Sequence, residues 1–181
     1  MQIGAQLIVF NCNGFDNCPP GSTDTVNLYQ STWMPLMNIN ENYTYYHPID
    51  VRFADLDPLA HVNNAVYLTY LESARFDYYQ RAGIWSPDHA MQTGMVVAHI
   101  DIDYLVPILF GQAIRVGLRV TRLGNKSFTM AFLIETAPEH TPLARGTCVV
   151  VTYDPQTGKS IPLPDDWREK ITQFEEQNGE L

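Results

Sequence analysis

Between Phe53 and Tyr67 the chain reads Phe-Ala-Asp-Leu-Asp-Pro-Leu-Ala-His-Val-Asn-Asn-Ala-Val-Tyr. Two carboxylates (Asp55 and Asp57), an imidazole (His61) and two amides (Asn63 and Asn64) thus fall in one short stretch, just before an apolar pattern of helical period. A carboxylate or imidazole can move protons or attack a carbonyl. A helix start supplies unpaired N–H groups and partial positive charge where an oxyanion would develop. Asp and Asn are also ordinary helix starters, so capping and acid–base work on a bound carbonyl are both open readings of these residues.

The flanking elements must hold this loop in place. Residues 47–54 alternate as a strand, with Ile49, Val51 and Phe53 on one face. From Val62 or Asn64 a helix runs to about Ala82, its apolar positions Tyr67, Leu71, Ala74 and Tyr78 recurring on one buried face, and Gly83 ends it. Glu72 with Arg75, or Asp77 with Arg81, is positioned to pair across the outer face. Four strands are expected over 95–106, 112–123, 127–136 and 142–154. Their connections are too short for crossover helices, so the strands are mostly hairpin-linked and antiparallel. A short polar helix follows from Asp165 to about Gln177, docking through Trp167, Ile171 and Phe174. The resulting class is α+β, and apolar strands of this length argue for a partner subunit. Residues 1–44 differ: Asn, Gly, Pro, Ser and Thr dominate after a short apolar run at 3–10, which reads as an extension, docked or disordered. The expected division is an extension (1–44), a main domain (45–164) and a C-terminal helix and tail (165–181).

The formal charge of −9 and the absence of a basic patch argue against nucleic acid or an anionic membrane as partner. No apolar stretch is long enough to span a membrane, and the first residues lack the basic start of a secretory signal, so the cytoplasm is the expected compartment. Cys12, Cys18 and Cys148 make no disulfide framework. Cys148, in an apolar run, reads as a core thiol. His99, Asp101 and Asp103 alternate on one strand face, but a solvent-facing stripe explains them, and no metal site is assigned.

The run Val51-Arg52-Phe53-Ala54-Asp55-Leu56-Asp57-Pro58, then His61-Val62-Asn63-Asn64, Tyr67-Leu68 and Glu72-Ser73-Ala74-Arg75, resembles the opening of hotdog-fold acyl-CoA thioesterases of the 4-hydroxybenzoyl-CoA thioesterase type. The resemblance extends over about residues 46–164 and includes Leu123-Gly124-Asn125-Lys126-Ser127-Phe128 and Asp154-Pro155-Gln156-Thr157-Gly158-Lys159. It implies a curved antiparallel β-sheet wrapped around a long central helix, subunits joined as a homodimer or tetramer, and active sites between subunits. The implied substrate is an acyl-CoA, with coenzyme A as part of the substrate and no further cofactor.

By the same match Asp57 stands where the family carries its catalytic carboxylate, as general base for water or as nucleophile. The Asn64 N–H, or a neighbour, is the implied oxyanion donor, and His61 a further catalytic-loop group that orients the loop, contacts the substrate or tunes Asp57. Lys126 and Ser127 are implied substrate contacts near the nucleotide end, while Tyr67, Tyr70, Trp85, Met91 and Met95 are candidate cleft-lining positions by residue type. Asp55, Asn63 and Glu72 are second candidates, with loop and ion-pair roles as their alternatives. A non-hydrolytic protein that binds or transfers acyl groups on coenzyme A or a carrier is the competing function.

Overall fold

The computed structural model describes residues 42–87 and 93–179. The expected extension up to residue 41, with Cys12 and Cys18, and the cleft candidate Met91 lie outside the described residues. The elements are β1 (Tyr45–Ile49), α1 (Asn64–Arg81), β2 (Gly94–Tyr104), β3 (Ile114–Leu123), β4 (Ser127–Thr136), β5 (Pro142–Tyr153) and α2 (Asp165–Asn178). The strands form one antiparallel sheet in the order β1-β3-β4-β5-β2. The first strand is shorter than its alternation suggests. Pro48 is tolerated because β1 is an edge strand, and beyond Ile49 the chain leaves the sheet for a tight turn, Phe53–Asp55. Phe53, expected to share a strand face with Ile49 and Val51, lies in the turn instead and is 77% exposed.

The 18 residues of α1 make a rod about 27 Å long. Its buried stripe of Tyr67, Leu71, Ala74 and Tyr78 packs with Val116, Leu118, Phe128, Met130, Phe132, Ile134, Cys148 and Val150. The C-terminus of the helix is closed by Gly83, whose φ of 70° is open to glycine at little cost. The second helix is tied down from two sides. Ile171 is buried, and the Glu175 carboxylate accepts from the Tyr78 hydroxyl and, at 2.7 Å, from the Val120 N–H.

The expectation of a curved sheet wrapped around the helix is corrected. The α+β class with an antiparallel sheet and two helices holds, but the sheet is open. β1 and β2 are its two edges and do not pair with each other. Closure would need β1 to reach β2, yet β1 has five residues and the chain turns off the edge after it. Nor is there a packing demand for closure. α1 packs on β1 and β3, and its opposite flank, with Leu68 and Phe76 each 41% exposed, stays outside.

Candidate active site

The segment from Val51 to Asn63 is a folded loop held by its own backbone. Leu56 bridges Val62, the Asp57 N–H donates to the His61 carbonyl at 2.8 Å, and the Ala60 N–H donates to the Asp57 carbonyl at 3.0 Å. The turn places Ala60 at φ 62°, a left-handed conformation that a residue with a Cβ adopts at a cost.

The two carboxylates of this loop have different surroundings. Asp55 is 2% exposed. It accepts from the Arg52 N–H at 2.9 Å, from the Arg52 guanidinium at 2.7 Å and from the Tyr70 hydroxyl at 2.8 Å. The bond from the Arg52 side chain, above all, holds the Asp55 carboxyl below the usual carboxylate range. Tyr70, one of the expected cleft residues, is instead buried beneath the loop, and its phenol is raised by burial and by Asp55. Asp57 is half-buried and in no ion pair among the described residues. Its Oδ1 accepts from the Leu59 N–H at 2.8 Å and, at 3.4 Å, from the His61 N–H. That orients the side chain with one oxygen and leaves Oδ2 without a donor among the described residues.

Asn63 caps α1, its side-chain oxygen accepting from the Ala65 N–H at 2.9 Å, while its own N–H donates to the Asp55 carbonyl. Asn64 is the first helical residue, and its N–H is among the donors that a helix start leaves without an intrahelical acceptor. The Tyr104 hydroxyl, at the end of β2, donates to the Asn64 carbonyl at 3.1 Å. Tyr104 and Tyr67 meet edge to face at 5.0 Å, and the Tyr67 hydroxyl accepts from the Ile108 N–H at 3.3 Å. The Val62 N–H donates to the Ile108 carbonyl at 2.8 Å and His61 bridges Leu109, so the loop is zipped to the β2–β3 connection. Phe53, Leu59, Leu109 and Phe110 form an exposed apolar rim around it.

A groove of about 460 Å³ runs along the open flank of α1, lined by Leu68, Thr69, Glu72, Phe76 and Tyr79 of the helix and by Met95, Val96, Val97 and Ile100 of β2. It opens about one helical turn beyond Asn64. Met95 lines it as the sequence suggested, whereas Trp85 meets Phe76 edge to face at 5.2 Å.

Asp57, His61, Asn63, Asn64 and Tyr67 are therefore brought together, and Asp55 supports them from below. Glu72 faces the groove, but the expected ion pair with Arg75 is corrected: Arg75 turns inward and is buried, while Asp77 and Arg81 do pair, at 3.4 Å. Lys126 and Ser127 lie elsewhere. Their hairpin sits at the far end of β5, where Ser127 pairs with Val151, Phe128 packs on Tyr79, and the Lys126 ammonium donates to the Ser160 carbonyl at 3.0 Å. Tyr79 is fifteen residues after Asn64, about 22 Å along the helix, so within one protomer the hairpin does not join the loop. Sequence reasoning missed Tyr104 and Ile108. Both act through long-range contacts, and no local pattern marks them.

Comparison with known proteins gives a consistent result. The pattern of the Thioesterase-like superfamily matches residues 51–171. A thioesterase from Thermus thermophilus, solved in complex with coenzyme A and Zn, is similar at 41% identity and a TM-score of 0.66, covering 75% of this chain and 97% of that one. The long-chain acyl-CoA thioesterase FadM of Escherichia coli is 32% identical over 126 residues, 70% of this chain and 96% of FadM. A 1,4-dihydroxy-2-naphthoyl-CoA hydrolase of Synechococcus elongatus is 28% identical over 127 residues, 65% of this chain and 89% of the hydrolase.

Proposed function

Because the chain belongs to the Thioesterase-like superfamily, we propose that it hydrolyses an acyl-CoA thioester to a carboxylic acid and free coenzyme A, with Asp57 as the acting carboxylate. The observation that carries this reading is the posture of Asp57. Loop amides hold Oδ1, Oδ2 is open, and the first amide of α1 follows in the same folded loop.

The steps balance on these groups. As general base, Asp57 takes a proton from water while the oxygen attacks the thioester carbon. The carbonyl electrons move to oxygen, which accepts a hydrogen bond from the Asn64 N–H, an effect worth about 3–4 kcal/mol for one well-placed donor. Collapse re-forms the carbonyl, breaks the C–S bond and returns the proton from Asp57 to the departing thiolate. As nucleophile, Asp57 would attack the same carbon and expel the coenzyme A thiolate as the C–S bond breaks; water would then open the mixed anhydride, freeing the acid and the Asp57 carboxylate and releasing the proton that the thiolate takes up. Asn63 and Tyr104 hold the helix start in register, and His61 lies at the edge where the thioester would pass. The apolar groove takes the acyl group. Lys126 and Ser127 would meet a nucleotide only from a neighbouring copy, which supports a site shared between subunits of a homodimer.

The test is thiol release from a panel of acyl-CoAs. Asp57→Asn should abolish turnover while acyl-CoA binding persists. Turnover within tenfold of wild type would remove Asp57 from the chemistry. Saturable binding by the wild type without thiol release would favour the non-hydrolytic carrier instead.

A further inference from the structure

The Asp57 carboxylate and the Asn64 N–H, which must meet at one substrate carbonyl, are joined through Asp55. Asp57 lies two residues after it, and the Asp55 carbonyl accepts from the Asn63 N–H at 2.9 Å, one residue before Asn64. The Asp55 side chain adds two more ties, both at Oδ2: the Arg52 N–H donates at 2.9 Å and the Tyr70 hydroxyl at 2.8 Å. The Arg52 guanidinium donates its shortest bond to the other oxygen, at 2.7 Å. Tyr70 stands in the second turn of α1. Its side chain leans back toward the helix start, which brings the hydroxyl beneath the loop. Tyr70 and Asp55 are both buried, so the link from Asn63 through Asp55 to Tyr70 closes within one protomer and needs neither a partner subunit nor a ligand to complete it.

Burial and the adjacent carboxylate raise the Tyr70 phenol, while the Arg52 side chain above all keeps the Asp55 carboxyl low. At neutral pH the hydroxyl is therefore the donor and Asp55 an ionised acceptor. A phenylalanine would fill the same space with no hydroxyl to satisfy, and a buried polar pair adds little net stability over an apolar pair of its shape. What the bond adds is direction and distance. A helix is stiff along its axis, so a group fixed to its second turn is fixed relative to the N–H groups at its end. Attack on a carbonyl whose oxygen is held by those N–H groups requires that the loop not slide against the helix.

Resting on the hydrolase reading above, we propose that Tyr70 is a positioning residue for the reaction, and that through Asp55 its hydroxyl sets the spacing between the Asp57 carboxylate and the Asn64 N–H.

Decanoyl-CoA and benzoyl-CoA are the probes, with thiol release counted per folded molecule at a temperature well below the unfolding of each variant. Tyr70→Phe should lower kcat by about tenfold, short of the roughly 10²-fold that a full 1 Å misplacement costs. KM should stay within about twofold, because the change removes no substrate contact. Asp55→Ala should match that loss, and the double variant should fall no further than either single one, since both cut the same link. Asp55→Asn keeps an oxygen for the Arg52 N–H and the Tyr70 hydroxyl, and should retain kcat within about threefold of wild type.

A kcat within about twofold of wild type in folded Tyr70→Phe overturns the proposal, because a contact that only stabilises changes the folded fraction and not the rate. A loss confined to KM overturns it as well, and so do losses that multiply in the double variant. If Tyr70→Phe does not fold, Asp55→Asn and Asp55→Ala decide the matter: equal kcat in the two overturns the proposal, and a loss confined to Asp55→Ala supports it. These results leave the hydrolase reading standing, whereas no thiol release from either probe by the wild type ends that reading and this one with it.

Discussion

The two loop carboxylates, two residues apart, should separate cleanly into a stabilising and a catalytic group. In Asp55→Ala the buried Tyr70 hydroxyl loses its acceptor, costing about 1–3 kcal/mol. The Arg52 N–H loses its turn-closing bond, which is worth about 1 kcal/mol by analogy with a helix cap. The Arg52 guanidinium is exposed, so its ion pair adds little after solvent screening. The sum is about 3 kcal/mol, or a fall of about 6–12 °C in Tm for a chain of this size. In Asp57→Asn the amide oxygen still accepts from the Leu59 N–H, and stability should stay within about 0.5 kcal/mol. Its kcat should fall by about 10²–10⁴ instead. Thermal unfolding followed by circular dichroism reads the first effect, and thiol release per folded molecule reads the second. The reasoning is refuted if Asp57→Asn unfolds as early as Asp55→Ala, or if Asp55→Ala, once folded, loses turnover as fully as Asp57→Asn.

Acid should act on the same network. A carboxyl whose folded pKa lies below its unfolded value contributes stability that is complete above the unfolded value near 4 and is lost as pH falls through the folded one. The stability gap between wild type and Asp55→Asn in urea titrations should therefore be constant from pH 7 to about 5 and narrow below about pH 4; a gap that widens in acid contradicts the depressed Asp55 carboxyl. Ala60→Gly relieves the left-handed backbone at φ 62° and should raise stability by about 1 kcal/mol, visible as a higher urea midpoint at unchanged slope. Gly146→Ala should not yield soluble protein, because its new Cβ would lie 2.1 Å from the Asp101 carbonyl and 2.7 Å from the Phe132 ring, between paired strands; normal expression and unfolding would count against the β2–β5 register.

The parts of this molecule readable from sequence were those governed by local chemistry. Asn63 at the helix start and Gly83 after its end act within one or two residues of themselves, so the extent of α1 was legible. The short turns between later strands force antiparallel pairing, and the loop motif pointed to the right family. Other features depended on groups distant along the chain. Asp55 and Asp57 are alike in type and neighbourhood, and only the packing of Tyr70 beneath the loop makes one a buried anchor and leaves the other open. The outward pairing expected of Arg75 failed because α1 rests on the β1–β3 side of the sheet, so that the face carrying Arg75 turns toward β2 and β5. Lys126 and Ser127 could be assigned a role by motif but not a place, since the hairpin register sets them at the far end of α1. The sheet itself stayed open for the same kind of reason: whether edges meet depends on strand length and helix seating together, and alternation within a strand carries no record of either.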